Sequence, residues 1–219
     1  MNAQKRIALI ALAGALSVLA IAGLITWYQV GMVDRTGGFG GTVGFQHADE
    51  LGGSFTLTDQ SGAAFSPGDL ETPYALIYFG FTACPDVCPT ELQDMTLALD
   101  QMDADLADQV TPAFITIDPA RDDVAAVRDY VGHFHPRMIG LTGDSQAIET
   151  VAKLYRVFYS RVASSEGEAA DSYMMDHSSF YYLIDQTGAL RRMFTPKAPI
   201  DALSVALGET VDEMTPSDR

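Results

Sequence analysis

The sequence predicts an α/β domain, with a central mixed sheet flanked by helices, preceded by one N-terminal transmembrane helix. Three observations carry that expectation. Short, almost wholly apolar runs such as "YALIYFGF" alternate with stretches whose apolar residues recur every three or four positions. The C-terminal part adds two alternating runs around a turn, then a last helical pattern. The chain also opens on a long run without charge.

Residues 1–30 read as the membrane anchor. No charged residue occurs from Ile7 to Tyr28, and a helix of that length at about 1.5 Å per residue spans roughly 33 Å, against a hydrocarbon core of about 30 Å. Lys5 and Arg6 precede the run, and Trp27 with Tyr28 close it, which predicts a cytoplasmic N-terminus with the remainder exported. Ala20-Ile21-Ala22 offers a competing signal-peptide cleavage site, but the apolar run continues past it, so an uncleaved anchor is the preferred reading. Residues 31–49, including "GMVDRTGGFGGTVG" and His47, read as a glycine-rich tether. The folded domain is expected over 50–210, with 211–219 as a tail. A formal net charge of -16 argues against nucleic acid or anionic lipid as the target.

Within the domain, "GSFTLTDQSGAAF" alternates around a turn at Asp59 to Gly62, as a hairpin does. "YALIYFGF" and "TPAFITID" read as strands buried on both faces. Between them, Leu92, Met95, Leu99 and Met102 form one apolar helical face. "RDDVAAVRDYVGHF" and "DSQAIETVAKLYRVF" read as helices, each with Asp near its start, and "RMIGLTG" between them as a further short strand. "SSFYYLID" and "ALRRMF" form a second hairpin around Gln186 to Gly188, followed by a helix at about Asp201 to Leu207. This sheet has the size of a thioredoxin-like fold.

The only two cysteines, Cys84 and Cys88, share the loop after the first buried strand, each followed by a proline. Proline disfavours helical geometry in the residue before it, so the helix is expected to begin after Cys88 with Pro89 at its first position. Asp86 then caps the helix rather than binding metal. Both sulfurs would lie at a helix amino end, whose partial positive charge favours thiolate. Two soft thiolates suit Cu(I), whereas structural zinc takes four protein ligands. The same pair could close into a reversible disulfide. A purely structural bridge is the weaker reading, because so small a loop gains little from cross-linking.

Divalent copper calls for a nitrogen donor, and His177 in "SYMMDHSSFYYLID" is the best placed, with Asp176 beside it to orient the imidazole. His133 and His135 flank Phe134 at a helix end, where electrostatic capping outweighs ligation. Met174 and Met175 are soft auxiliary candidates, although methionines near strands are usually core. The acidic stretch 164–172 reads as a solvated loop; if mobile, it would let His177 swing toward or away from the sulfurs.

These segments resemble the Sco/SenC family of copper chaperones, which assemble the dinuclear copper centre of cytochrome c oxidase. "GGSFTLTDQSGAAFSPGDL" is similar to the family's opening hairpin, "LIYFGFTACPDVCPTEL" to its C-x-x-x-C copper loop, "ITIDPARDD" to its next strand and turn, and "MMDHSSFYYLID" to its histidine segment. The resemblance covers about residues 50–210. It implies a thioredoxin-like fold and one copper per chain, with Cys84 and Cys88 holding Cu(I) and His177 completing the site for Cu(II). It also implies a partner, the copper-accepting oxidase subunit or another copper chaperone, and a single-pass inner-membrane protein with its domain on the periplasmic or equivalent side. The sequence departs from ordinary thioredoxins in having three residues between the cysteines and no proline directly before "SSFYYLID". The alternative function is a thiol-disulfide oxidoreductase that reduces the acceptor's cysteines, with Cys84 and Cys88 as the catalytic pair and no need of His177. A peroxide-reducing thiol enzyme would share the fold, but no constellation activating a single thiol toward peroxide is visible.

Overall fold

A computed structural model places the wholly apolar run of the sequence at the heart of a seven-stranded sheet. The structure describes residues 51–162 and 173–215. The anchor expected over 1–30, the tether 31–49 with His47, and the acidic loop 164–172 lie outside the described residues. Among the described residues no helix is long and apolar enough to cross a membrane.

The elements run β1 (Leu57–Asp59), β2 (Ala64–Phe65), β3 (Tyr74–Gly80), α1 (Val87–Asp100), α2 (Ala104–Ala107), β4 (Val110–Thr116), α3 (Val124–Val131) and β5 (Ile139–Thr142). There follow α4 (Ser145–Leu154), β6 (Tyr159–Val162), β7 (Met174–His177), β8 (Tyr181–Asp185), β9 (Leu190–Phe194) and α5 (Ile200–Met214). The large sheet has the order β2-β1-β5-β4-β3-β8-β9. Strands β3, β4 and β5 are parallel, whereas β8 and β9 on one side and β1 and β2 on the other pair antiparallel. Every residue of β3 is buried, which explains its lack of alternation: a strand covered on both faces has no polar side to show.

Helices α3 and α4 start where the sequence suggested. The side chains of Asp123 and Asp144 accept the amides of Ala126 and Ala147, each at 2.8 Å. Gly140 lets α3 seat tightly on β5, since a Cβ there would come within 2.5 Å of Val127 Cγ1 and 2.9 Å of Val131 Cγ1.

Two expectations need correction, and one element was not foreseen. Helix α1 begins at Val87, before the second cysteine. The last helix is longer than Asp201 to Leu207, because its apolar face continues through the buried Val211. Strands β6 and β7 form a separate two-stranded ribbon that the sequence reading had not identified. The burial of β6 runs half-buried then exposed, so it carries no apolar pattern by which to recognise it.

The parallel strands place both their carboxyl ends and the loops that follow at one sheet edge. The cysteine loop after β3 and the turn after β4 therefore share that edge. His133 and His135, which precede β5, lie at the opposite one.

Candidate metal centre

The cysteine loop is fixed from beneath by a residue that motif spacing had not singled out. Asp122 is fully buried, and its carboxyl group accepts the Thr82 N–H at 3.0 Å, the Thr82 hydroxyl at 2.6 Å and the Thr116 hydroxyl at 2.5 Å. Its backbone carbonyl accepts the Thr142 hydroxyl at 2.6 Å. The start of the loop is thus tied to both β4 and β5.

Asp86 occupies the position capping α1, but its side chain makes no capping hydrogen bond. The sulfur of Cys84 does so instead, accepting the Cys88 N–H at 3.4 Å. Pro89 sits inside the first helical turn rather than opening it. A first-turn amide has no intrahelical acceptor, so the missing N–H costs nothing there and the usual restriction on the preceding residue is overcome.

Both thiols are free, and they are unequal. Cys84 is half-buried, whereas Cys88 is completely buried. Burial above all, together with the neighbouring Cys84, pushes the Cys88 thiol up to about 12. This corrects the expectation of two thiolates favoured by a helix end: away from water, desolvation of the anion outweighs the helix field. Gly80 makes this packing possible, because a Cβ there would lie 3.1 Å from the Cys88 sulfur and 2.8 Å from Cε1 of Tyr78.

His177 ends β7, opposite Tyr159 of β6, and its Nε2 lies 3.6 Å from the Cys88 sulfur. Its Nδ1 lies 3.0 Å from the Ser178 carbonyl oxygen. Because a carbonyl can only accept, the neutral ring carries its proton on Nδ1 and turns a bare Nε2 toward the sulfur. The orienting partner is therefore the Ser178 carbonyl and not Asp176, whose exposed position alternates with His177 along the strand. Tyr78 and Phe81 hold the imidazole edge-on, at centroid distances of 6.1 and 6.2 Å.

The histidine segment is stitched to its surroundings at two points. On one side, the Ser179 hydroxyl donates to the Glu91 carboxyl group on α1, and the Tyr181 hydroxyl donates to the Glu91 carbonyl at 2.6 Å. On the other, Tyr173 just before β7 donates its hydroxyl to Asp118 at 2.6 Å, while Arg121 bonds the Tyr173 carbonyl at 2.9 Å and covers its ring at 3.8 Å. Asp118 is itself paired with Arg121. The turn Asp118 to Asp122 consequently braces both the cysteine loop and the strand that carries His177. Its only signal in the sequence was three carboxylates and an arginine packed into "DPARDD".

A cleft of about 240 Å³ joins these groups, lined by Cys84, Asp86, Met174, Met175, His177 and Ser179 among others. Met174 is exposed, whereas Met175 is partly buried against the core. No three of the described His, Cys, Asp and Glu side chains already form a closed metal cage. His133 is exposed; His135 is buried at the far sheet edge, where its Nδ1 accepts the Arg137 N–H at 3.1 Å. Burial and the Arg137 charge hold its pKa below the usual histidine range. Neither ring is brought to the cysteines.

Comparison with known proteins agrees with this arrangement. Residues 44–212 match the family model SCO1/SenC. The SCO2-like protein of Rickettsia conorii is 43% identical over 161 residues, which cover 73% of this chain and 77% of that protein. Among solved structures, yeast Sco1 with copper bound is 34% identical with a TM-score of 0.68, over 77% of this chain and 92% of that one. Bradyrhizobium japonicum ScoI with copper bound is 38% identical with a TM-score of 0.63, over 73% of this chain and 99% of that one. The likeness extends across the thioredoxin-like arrangement of a central mixed sheet between helices, and the chain belongs to the SCO1/SenC family.

Proposed function

We propose that this protein is a copper chaperone that carries one copper ion on Cys84, Cys88 and His177 and passes it to the dinuclear copper site of cytochrome c oxidase. The observation that carries the reading is the approach of His177 Nε2 to the Cys88 sulfur, 3.6 Å apart although 89 residues separate them in sequence. The bare Nε2 and the sulfurs are the donor set that copper takes in both oxidation states: thiolates for Cu(I), an added nitrogen for Cu(II). The structures of yeast Sco1 and Bradyrhizobium japonicum ScoI, both with copper bound, support it.

Copper here is cargo. Binding it removes the Cys88 proton, which burial otherwise retains, so uptake releases protons and weakens as pH falls. The half-buried Cys84 is the sulfur a partner reaches first, and ligand exchange with an acceptor's thiolates starts there. Residues 1–30 anchor the protein in the inner membrane, and the tether 31–49 lets the domain over 50–210 reach its acceptor on the exported side.

The free, unequal thiols also favour a second reading, reduction of the acceptor's disulfide. In that reaction Cys84 attacks one acceptor sulfur, Cys88 resolves the mixed disulfide, and the chain ends oxidised while the acceptor gains two thiols. His177 separates the two. The full-length chain in detergent, reduced and titrated with copper, should bind one equivalent and show a thiolate-to-Cu(II) charge-transfer band. The band should vanish in the double Cys→Ser variant and weaken in His177→Ala. No stoichiometric binding, with a Cys84-Cys88 disulfide that cycles readily, would favour the reductase instead.

A further inference from the structure

Among the described residues five large apolar side chains stand exposed, and four of them lie on the cysteine loop or on the ribbon that carries His177. Strand alternation accounts for three. Val162 pairs with Met174 and Tyr159 with His177, so Val162 and Met174 sit side by side on the ribbon face opposite to that of His177. Phe158 continues that face one residue ahead of β6, where its carbonyl accepts the Ser178 N–H at 2.9 Å and extends the ladder. Phe158 is 61% exposed, Val162 47% and Met174 41%. The fourth, Val87 at 49%, opens α1 directly before Cys88 and lines the same cleft as Met174, Cys84 and His177. Apolar residues scattered singly over a surface need no explanation, whereas a group beside a site does.

Charge and geometry say what covers it. Asp86 and Asp176, both exposed, line the cleft together with Val87 and Met174. At the other end of the patch, Lys153 on α4 is paired with Glu149 at 2.6 Å and Arg156 is exposed, while Arg161 belongs to the opposite ribbon face and stacks over Tyr173 at 3.4 Å. An anionic bilayer would meet the two carboxylates of the cleft and be repelled. A second copy docked patch to patch would bring the same carboxylates to the same mouth. Ligand exchange at Cys84, by contrast, needs an acceptor sulfur within bonding reach of the same copper. The acceptor must then cover the walls of this cleft, and Val87 and Met174 are part of those walls.

We propose that the outward face of the β6–β7 ribbon, formed by Phe158, Val162 and Met174, together with Val87, is the docking surface for the copper acceptor, a protein that presents its thiols in an apolar patch rimmed by lysine or arginine. This rests on the copper-chaperone reading above. The apolar side chains supply the contact, and the carboxylates of Asp86 and Asp176 steer the cationic rim toward the cleft. The ribbon carries His177 on its other face, so a partner seated here touches the backbone that positions that ring.

The test compares the wild type with a Phe158→Ser, Val162→Thr double variant of the full-length chain in detergent. Each is loaded with copper and offered either the reduced, metal-free copper-accepting domain of cytochrome c oxidase or glutathione. Copper stoichiometry and transfer to glutathione, which needs no docking, should be unchanged. Transfer to the oxidase domain should slow about tenfold, and calorimetric binding between the two metal-free proteins should weaken by the same factor. Val205→Ser, at an equally exposed position on α5, should change neither. Asp176→Asn should slow association with the oxidase domain at low salt, with the difference gone near about 1 M salt; rates equal to the wild type at low salt overturn the cationic rim. Transfer and binding unchanged in the double variant overturn the surface while the chaperone reading stands. So does a wild-type dimer that the same two substitutions dissociate in sedimentation. A wild type that holds no copper overturns the chaperone reading, and the metal-free binding measurement still decides the surface.

Discussion

Replacing Asp122 by alanine should loosen the metal centre from a position that touches no proposed ligand. The carboxyl group accepts three hydrogen bonds, from the Thr82 amide and from the hydroxyls of Thr82 and Thr116. Hydrogen bonds of this kind contribute about 0.5–1.5 kcal/mol each, and the two hydroxyls can rotate toward other acceptors, whereas the partly buried Thr82 amide loses its acceptor. The net loss should be about 2–4 kcal/mol, from the lost bonds and a donor left without its acceptor. For a domain of this size each kcal/mol lowers the melting temperature by about 2–4 °C, so calorimetry should register a fall of roughly 10 °C. Thr82→Val, which removes one hydroxyl and keeps the amide, should lose about 1 kcal/mol. Thr82 stands two residues before Cys84, so copper retention in Asp122→Ala should decline even at temperatures where the chain remains folded. A destabilisation below about 1 kcal/mol with copper retention intact would refute the assignment of Asp122 as the brace of the loop.

Three further outcomes follow from the same structure. Iodoacetamide at pH 8 should label Cys84 well before Cys88, which is buried and whose thiol is pushed up to about 12; peptide mass spectrometry reads the order, and equal rates would contradict it. Gly140→Ala should destabilise by about 1–3 kcal/mol through overpacking against Val127 and Val131, whereas a neutral result in a denaturant titration would mean that α3 shifts freely. Burial opposes ionisation of Asp185, but hydrogen bonds from Thr187 and Arg191 outweigh it and hold its pKa below the usual carboxylate range. Its stabilising effect is therefore complete above the unfolded value near pH 4 and disappears as pH falls through the lower folded one. Melting temperature followed from pH 6 to pH 3 should drop less steeply in Asp185→Asn than in the wild type, and parallel curves would argue against that contribution.

Much of the fold could be read in advance because its strands and helices leave unambiguous periodicities. Tyr74 to Gly80 is apolar at nearly every position and occupies a central strand; Leu92, Met95 and Leu99 recur at helical spacing and are buried. The ribbon β6–β7 escaped notice because Tyr159 to Val162 is polar, largely exposed and short. The start of α1 was misplaced by local proline rules, which do not see that the sulfur of Cys84 supplies the helix with a cap. At the site, the candidates Cys84, Cys88 and His177 came from chemistry and spacing. Their supports did not, since Tyr78 looked like one more core aromatic, and Asp118, Arg121 and Asp122 looked like a charged turn. Buried polar contacts are relations between distant residues, and no window along a chain displays them.

The turn from Asp118 to Asp122 holds two separate parts of the site at once: Asp122 the cysteine loop, Asp118 and Arg121 the approach to β7. The consequence is thermodynamic coupling. A substitution on the sulfur side and one on the imidazole side share a support, so their effects on copper affinity should fail to add, by about 0.5–3 kcal/mol in a double-mutant cycle. Thr82→Val combined with Tyr173→Phe is the pair to examine, for neither touches a proposed ligand and each removes one hydroxyl from the same turn. A site braced in this way tolerates change in either arm alone more readily than its contacts suggest, and its tuning is a property of the frame as much as of the ligands.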